Sequence, residues 1–447
     1  MRADAASFGW LRIVRLGLVQ SALGAIVVMA TSTLNRVMAV EYALPAALPG
    51  ALVALHYGVQ FMRPRLGHGA DTSGRLTRWI AGGMGVLACG GVLAALATAL
   101  MATQLVAGGA LAVIAYTLIG LGVGAAGTSL LVLMSRVVPA DRRGGAATVM
   151  WIMMIAGFAI TSGTASRFLD PFTPTRLILV TASVVAIAFI VAVAAITGLG
   201  VPVAEEPTRA SAGRSFRDSL AGVWTEPATR RFTIFVFVSM MAYSAEELLL
   251  EPFAGLVMHL SVAGSTGLSG TMHAGSVLGM VAVALLGARF MRGRGPSLRT
   301  FTIAGCIASA ALLVVLGTMA TRPDWPLKAT VGTLGFANGM FAVAAIGSMM
   351  ELGAARADGR SGLRMGLWGA AQAVAFAAGG FSATLLVDIV RRLLGQPVGA
   401  YATVFICEAA LFLTAAWIAA RLEPRTEPAH GTARRGAAAP LATLETP

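Results

Sequence analysis

The chain has 447 residues and a mean hydropathy of +0.79, and only 12% of its residues are charged, whereas a soluble domain carries about 25%. The net charge of +13 rests on arginines in short loops between apolar stretches, and Lys328 is the one lysine. These values exclude a soluble enzyme. The distribution of the arginines is typical of membrane orientation and not of nucleic-acid binding.

Apolar stretches of about 20 residues recur along the whole chain, which is the length that a helix needs to cross roughly 30 Å of hydrocarbon. Inside the bilayer the backbone must satisfy its own hydrogen bonds, so these stretches are expected to be helical. We therefore predict an all-α membrane protein with about twelve transmembrane helices. Their expected positions are 17–40, 46–63, 79–101, 107–135, 146–166, 176–199, 232–255, 265–290, 300–320, 329–351, 365–388 and 400–421.

The basic residues predict the orientation of these helices. With the N-terminus in the cytoplasm, 26 of the 33 basic residues fall on the inner side, six fall on the outer side, and Arg36 lies within the first span. This asymmetry places both ends of the chain in the cytoplasm. The first residues lack a basic segment followed by a cleavage site, so we expect the first span itself to direct membrane insertion. The predicted location is a bacterial inner membrane, crossed many times.

The longest polar connection divides the spans into two groups of six. We predict an N-terminal six-helix half at 1–199, a cytoplasmic linker at 200–231, a C-terminal six-helix half at 232–421 and a disordered cytoplasmic tail at 422–447. The linker is either flexible or carries a short surface helix. The second and eighth spans end in similar sequences, Phe-Met-Arg-Pro-Arg and Phe-Met-Arg-Gly-Arg. Two parallel halves of this kind are the arrangement of the major facilitator fold.

A glycine-containing loop follows the second span and resembles the major facilitator signature G-x-x-x-D-R-x-G-R-R, although two of the basic positions are not basic here. Gly67 and Gly74 permit a tight turn. Asp71 can cap the next helix and attract Arg136 at the inner end of the fourth span. We predict that these residues and Arg75 form a conformational latch at the cytoplasmic face.

Three carboxylates lie in the apolar seventh span: Glu246, Glu247 and Glu251. An acidic residue near the bilayer centre costs at least about 2.5 kcal/mol, so such residues are functional by default. Glu247 and Glu251 are four residues apart and share a helix face. They are candidates for contact with cargo, for a proton site or for pairing with a buried base. The alternative is that Glu251, and with it Glu247, lies in water at the outer interface.

The first span contains a polar stretch that includes Asn35 and Arg36. In a bundle of two halves the first span is the counterpart of the seventh, so Arg36 is a candidate to meet the glutamates as a buried pair. The alternative is that Arg36 extends along the helix to the outer surface.

Two histidines lie inside predicted spans, His56 in the second and His273 in the eighth. Either is a candidate ligand for a metal centre, including the magnesium of a chlorin. A hydrogen bond to a neighbouring helix is the commoner role of such a histidine. The sequence contains no nucleotide-binding motif, no Ser/His/Asp arrangement and no Cys/His cluster with metal spacing, so we assign no catalytic residue and no resident metal.

Several stretches together resemble the PucC-type family, also called the bacteriochlorophyll delivery family, a branch of the major facilitators. These stretches are 16–20, 31–38, 48–57, 63–71, 116–129, 250–253 and 260–262. The resemblance implies a membrane assembly factor for light-harvesting antenna complexes, which handles or delivers bacteriochlorophyll or chaperones antenna polypeptides. It further implies bacteriochlorophyll as cargo, antenna polypeptides or a pigment synthase as partners in the lipid bilayer, and a cytoplasmic or intracytoplasmic photosynthetic membrane. The functional positions implied are Asn35, Arg36, His56, Asp71, Glu247 and Glu251.

Two other functions stay open from the sequence. One is a proton-coupled transporter of a small molecule, with the seventh-span carboxylates as the proton site. The other is an accessory subunit of a bacteriochlorophyll synthase that performs no catalysis of its own.

Overall fold

The computed structural model describes residues 9–63, 66, 76–139, 142–199, 224–290, 297–319, 325–354 and 361–422. Within these ranges the chain forms twelve long helices. They are α1 Trp10–Glu41, α2 Ala47–Met62, α3 Leu76–Met101, α4 Leu105–Val137, α5 Arg143–Ala165, α6 Pro174–Ile196, α7 Pro227–Leu256, α8 Val262–Phe290, α9 Leu298–Met319, α10 Leu327–Ala354, α11 Ser361–Leu394 and α12 Pro397–Ala420. Eleven are long and apolar enough to span a membrane, and α2 is a shorter apolar helix. The predicted all-α membrane fold is confirmed.

Helices α1 and α7 begin five or more residues earlier than hydrophobicity alone predicts, a larger difference than for the other helices. Helix α1 begins at Trp10 because Arg15 is accommodated at its cytoplasmic end: the Arg15 Nε donates to the Ala195 carbonyl at 3.1 Å. A guanidinium is favoured at this place, since the last carbonyls of α6 lack partners in their own helix. Helix α7 begins at Pro227, which suits a first helical position because its missing N–H would have no partner there. The predicted linker and tail lie largely outside the described residues.

Each group of six helices has its own apolar core, one built mainly from α1–α6 and the other mainly from α7–α12. The two halves meet along two extended contacts, α2 against α11 and α5 against α8. Glycines permit the second contact: a Cβ atom on Gly270 would lie only 2.8 Å from the backbone nitrogen of Gly163. Small residues of this kind let helices approach closely within a bilayer.

The outer surface is apolar as a lipid-facing surface requires. On α6, for example, Leu179, Ile187 and Ile190 are all more than half exposed. A soluble protein rarely presents such a continuous apolar surface to water. The polar side chains that the sequence places in the spans therefore have to find partners inside the bundle.

Candidate functional site

The polar stretch of the first span lies where α1 changes its winding. The helix is regular from Trp10 to Val28 and then opens into two π-helical segments, Met29–Leu34 and Val37–Glu41. Such wide turns occur frequently at functional sites. Every side chain from residue 31 to 36 is buried. The distorted part of α1 thus presents hydroxyl, amide and guanidinium groups to the boundary between the halves.

Glu251 is the centre of a hydrogen-bonded cluster that joins the two halves. The Ser32 hydroxyl on α1 donates to Glu251 Oε1 at 2.6 Å, and the Thr266 hydroxyl on α8 donates to Oε2 at 3.2 Å. Ser269 lies 3.2 Å from Ser32, oxygen to oxygen. Glu251 is only 1% exposed, so it does not lie in water at the outer interface. We call Ser32, Glu251, Thr266 and Ser269 the Glu251 cluster.

His273 lies one turn further along α8 than the Glu251 cluster, and its ring is oriented by the backbone. Its Nδ1 is 2.8 Å from the Ser269 carbonyl oxygen. Because a carbonyl only accepts, Nδ1 carries the proton and the neutral ring keeps its lone pair on Nε2. That Nε2 has no hydrogen-bond partner and lies 4.0 Å from Glu247 Oε1, while the edge of the ring packs on Phe158.

Glu247 is the most open of the three seventh-span carboxylates, at 7% exposure against 1% for Glu246 and for Glu251. It faces His273 across the boundary between α7 and α8. We call the Glu251 cluster, Glu247 and His273 together the polar seam. Among the described groups of this seam, Glu247 and the Nε2 of His273 are the ones that no hydrogen bond occupies.

The expected pairing of Arg36 with a seventh-span glutamate is not the one found. Arg36 forms its ion pair with Glu41 of the same helix and donates from Nη2 to the Leu260 carbonyl at 2.8 Å. A π-helical turn brings residues five apart together, which explains a partner at this spacing. Asn35 crosses to the other half, where its Nδ2 donates to the Leu248 carbonyl at 2.6 Å.

Glu246 points away from the seam into the C-terminal half. Both of its carboxylate oxygens lie 2.9 Å from Asn338 Nδ2 on α10, and the Asn338 carbonyl oxygen accepts from the Ser309 hydroxyl on α9 at 2.7 Å. Neighbours in a helix point about 100° apart, a consequence of 3.6 residues per turn. Glu246 and Glu247 therefore belong to different sites.

His56 lies away from the seam, near the cytoplasmic end of α2. Its Nε2 is 3.1 Å from the Gln60 amide nitrogen, and Gln60 in turn accepts from Arg63. The adjacent Tyr57 packs its ring on Phe376 of α11 at 4.9 Å. His56 is thus held by its own helix, and its Nδ1 is buried without a hydrogen-bond partner.

The predicted cytoplasmic latch falls outside what the structure describes. Gly67, Asp71, Gly74 and Arg75 are not among the described residues, nor is the side chain of Arg136.

An open groove of about 570 Å³ lies between α3 and α4 on the N-terminal half. Arg78 and Trp79 stand near its cytoplasmic end, and its remaining lining is small or apolar. The lining residues are Leu66, Arg78, Trp79, Gly82, Gly83, Val86, Leu118, Leu121 and Ala125. The groove faces the surface that lipid would cover, because Gly82 and Val86 are exposed.

A family model described as PUCC protein matches residues 33–426, from the polar stretch of α1 to beyond the end of α12. The chain belongs to the PucC family. The resemblance seen in the sequence is thereby confirmed for nearly the whole length of the chain.

Curated relatives of this PucC-family chain come from phototrophic bacteria. It is 46% identical over 418 residues to the bacteriochlorophyll synthase 44.5 kDa chain of Rhodobacter capsulatus. The alignment covers 92% of this chain and 95% of that relative. It is 27% identical over 437 residues to protein PucC of the same species, covering 90% of each chain. The chain is a multi-pass bacterial membrane protein.

Solved structures of low identity establish the fold. The nucleoside transporter NupG aligns with a TM-score of 0.62 at 14% identity and covers 92% of this chain and 98% of that chain. A POT family peptide transporter aligns with a TM-score of 0.64 at 12% identity, covering 92% and 95%. The PucC-family chain therefore has the major facilitator fold, as predicted.

The sequence analysis missed several polar residues that the structure brings together. Asp388 on α11 accepts hydrogen bonds from the backbone nitrogens of Ala46 and Ala47, and so caps α2 from the other half. Arg364, counted as a loop residue, is buried and forms a two-bond pair with Glu226 at 2.9 and 3.0 Å. Asp388 could have been found from the sequence, because it is an acidic residue in an apolar stretch. No sequence pattern marks Glu226 as the partner of Arg364.

Proposed function

We propose that this chain is a membrane assembly factor for light-harvesting antenna complexes, which handles or delivers bacteriochlorophyll, chaperones antenna polypeptides, or does both. The observation that carries the proposal is the 46% identity, over 92% of the chain, to a protein named as a bacteriochlorophyll synthase chain. The protein itself performs no catalysis in this proposal. Bacteriochlorophyll is its cargo, and antenna polypeptides or a pigment synthase are its partners.

The polar seam supports the proposal because it offers groups that suit the magnesium of a chlorin. Magnesium prefers hard oxygen ligands, and the carboxylate of Glu247 is one. The Nε2 of His273 lies beside it with its lone pair unused. Glu247 and His273 are therefore our candidates to hold the metal or a water bound to it, and Asn35 and the Glu251 cluster would fix the helices around them.

The groove between α3 and α4 supports the proposal in a different way. It is a mostly apolar concave surface open to the bilayer, so a pigment dissolved in lipid can reach it without crossing water. Arg78 and Trp79 stand where an amphipathic cargo would place its polar edge. We propose this groove as the place where the apolar body of the pigment first docks.

The test is complementation of a Rhodobacter capsulatus strain that lacks the 44.5 kDa relative. We expect this chain to restore the near-infrared absorption of the antenna complexes and to be purified with bacteriochlorophyll bound. Glu247→Gln and His273→Gln should lower the bound pigment, while Ser265→Ala should not, because the Ser265 hydroxyl bonds only to carbonyls of its own helix. Normal antenna levels in the deletion strain, together with a pigment-free purified chain, would overturn the proposal.

A second candidate function is an accessory subunit of bacteriochlorophyll synthase. It is favoured by the difference between 46% identity to the synthase chain and 27% to protein PucC. Co-purification separates the two functions. An accessory subunit should be recovered with the prenyl-transferring synthase, and its deletion should lower total pigment, whereas an antenna factor should be recovered with antenna polypeptides and leave pigment synthesis intact.

We also propose that the cytoplasmic loop acts as the latch between two conformations, through attraction of Asp71 to Arg136. Asp71→Asn and Arg136→Gln should each weaken antenna restoration in the complementation assay. The exchange of the two charges, Asp71→Arg with Arg136→Asp, should recover part of it. A double variant no better than either single variant would contradict the pairing.

A further inference from the structure

A second buried polar cluster lies inside the C-terminal half, away from the seam. It consists of Glu246 on α7, Ser309 on α9, Asn338 on α10 and Glu408 on α12. We call these four residues the Glu246–Glu408 cluster. Each comes from a different helix, so the cluster joins four helices of this half.

The hydrogen bonds of the cluster hold Glu246 in place. The Ser309 hydroxyl donates to the Asn338 carbonyl oxygen at 2.7 Å, which turns the amide nitrogen of Asn338 towards Glu246. That nitrogen lies 2.9 Å from both carboxylate oxygens. Both oxygens of Glu246 are therefore accounted for by one amide group.

Glu408 is in the opposite situation. It is 2% exposed, and neither of its oxygens has a hydrogen-bond partner. Phe412, one turn beyond Glu408, packs on Phe341 of α10 with ring centroids 5.5 Å apart. Phe341 also packs on Tyr243, one turn before Glu246. Glu408 therefore lies at the same level of the bundle as Glu246 and Asn338. Within the described part of the chain, no arginine, lysine or histidine lies within ion-pair distance of Glu246 or Glu408.

Two other acidic groups in the same molecule have partners that Glu408 lacks. Both oxygens of Glu251 accept hydroxyl donors, and Arg364 makes two bonds to Glu226. Two ionised carboxylates without a cation in a low-dielectric interior would be far too costly. Packing alone would be satisfied by an apolar side chain at 408, where α12 is otherwise almost wholly apolar.

We propose that Glu408 is a proton-binding site in the core of the C-terminal half, beside Glu246. Glu408 holds an exchangeable proton, and Asn338 holds the neighbouring Glu246 in place. Binding forms an O–H bond to a carboxylate oxygen of Glu408 with a proton taken from water, and release returns it, so no oxidant or reductant takes part. This site goes beyond the proposed function, since it requires no pigment.

Several titratable groups surround the site, and the test has to separate them from it. Glu247 and Tyr243 on α7 interact with Glu246, and Cys407 precedes Glu408 on α12. Cys306 is buried on α9, and Asp388 and Arg391 on α11 act on Tyr401 nearer the outer end.

The experiment is infrared difference spectroscopy of the purified full chain, titrated with pH in water and in heavy water. The wild type should show the C=O band of a buried protonated carboxyl, which shifts in heavy water and disappears at high pH. Glu408→Gln should abolish this band. Glu246→Gln should keep the band and change the pH at which it disappears, whereas Cys407→Ala, at the adjacent lipid-facing position, should change neither.

Two results would overturn the proton site. One is a band that survives Glu408→Gln in a chain that still elutes and melts like the wild type. The other is a band that appears only when sodium in the buffer is replaced by a bulky organic cation, because sodium would then be the natural occupant. Bound pigment measured in the same samples distinguishes these failures from a failure of the proposed function.

Discussion

The two polar clusters of this protein share helix α7 but follow opposite designs. In the polar seam, neutral hydroxyl groups from the N-terminal and C-terminal halves converge on Glu251, so the cluster holds the halves together. In the Glu246–Glu408 cluster, every member belongs to one half, and one carboxyl group lacks any partner. Adjacent residues on one helix thus belong to a boundary between the halves and to the core of one half.

Because of this difference, the two clusters suit different functions. A boundary held by hydroxyl–carboxylate bonds can separate, because each group finds water or another hydroxyl when the halves move apart. A carboxyl group enclosed in one half cannot replace its surroundings with water in this way. Only its protonation state can change. The seam therefore suits binding and release of cargo, and the enclosed cluster suits storage of a proton.

The largest expected effect comes from removing the amide that supports Glu246. Asn338→Leu should lower the free energy of unfolding by about 3 kcal/mol, because a buried acceptor then loses its donor. Thermal unfolding in detergent micelles measures the loss. The double variant Asn338→Leu with Glu246→Leu should regain most of it, since both partners become apolar. A double variant as unstable as Asn338→Leu would mean that Glu246 needs no support from Asn338.

A smaller effect is expected from crowding the contact between the halves. Gly270→Ala should cost about 1–3 kcal/mol, because its Cβ atom would press on the backbone of Gly163 and overpack the α5–α8 contact. Gly267→Ala, one turn earlier on the same helix, is the matched control. Its Cβ atom would meet the Ser166 side chain at an ordinary 3.5 Å, so it should be neutral or slightly stabilising. Equal melting temperatures for the two variants would contradict the tight contact.

The helices of this protein could be predicted closely from sequence, whereas the partners of its polar residues could not. Hydrophobic length places α3 at 79–101 against the observed Leu76–Met101, because lipid burial follows composition directly. The start of α1 was missed because Arg12 and Arg15 lower the local hydropathy, although Arg15 is bonded to the end of α6.

The site shows the same division between burial and pairing. Burial of Arg36, Glu247 and Glu251 was one of two interpretations that the sequence left open, and the structure has all three buried. The partner of Arg36 could not be predicted, because a π-helical turn is invisible in the sequence pattern. The sequence analysis did not identify Asn338 and Glu408, because single polar residues in apolar stretches form no periodic pattern.

A loss of about 1 kcal/mol is expected when one hydroxyl is removed from the seam. Ser32→Ala takes a donor from Glu251 but leaves the one from Thr266, so the carboxylate stays partly supported. Thr31→Val is the control on the same turn, because the Thr31 hydroxyl bonds only to a carbonyl of its own helix. Chemical unfolding of both variants tests this. A larger loss of unfolding free energy in Thr31→Val than in Ser32→Ala would contradict a stabilising role for the hydrogen bond from Ser32 to Glu251.

The smallest effect on stability is expected in the groove, where the functional effect should be clear. A Cβ atom added to Gly82 would meet no atom within 4 Å, so we expect Gly82→Leu to enter the groove without straining the backbone. Its free energy of unfolding should stay within about 0.5 kcal/mol of the wild type, as for other surface changes. Gly109→Leu on α4 also enters open space but lies outside the groove, and so serves as the control. If the groove is where cargo docks, only Gly82→Leu should reduce the pigment recovered with the purified chain. Equal pigment in both variants would leave the polar seam as the one candidate for contact with cargo, because the seam is unchanged in each.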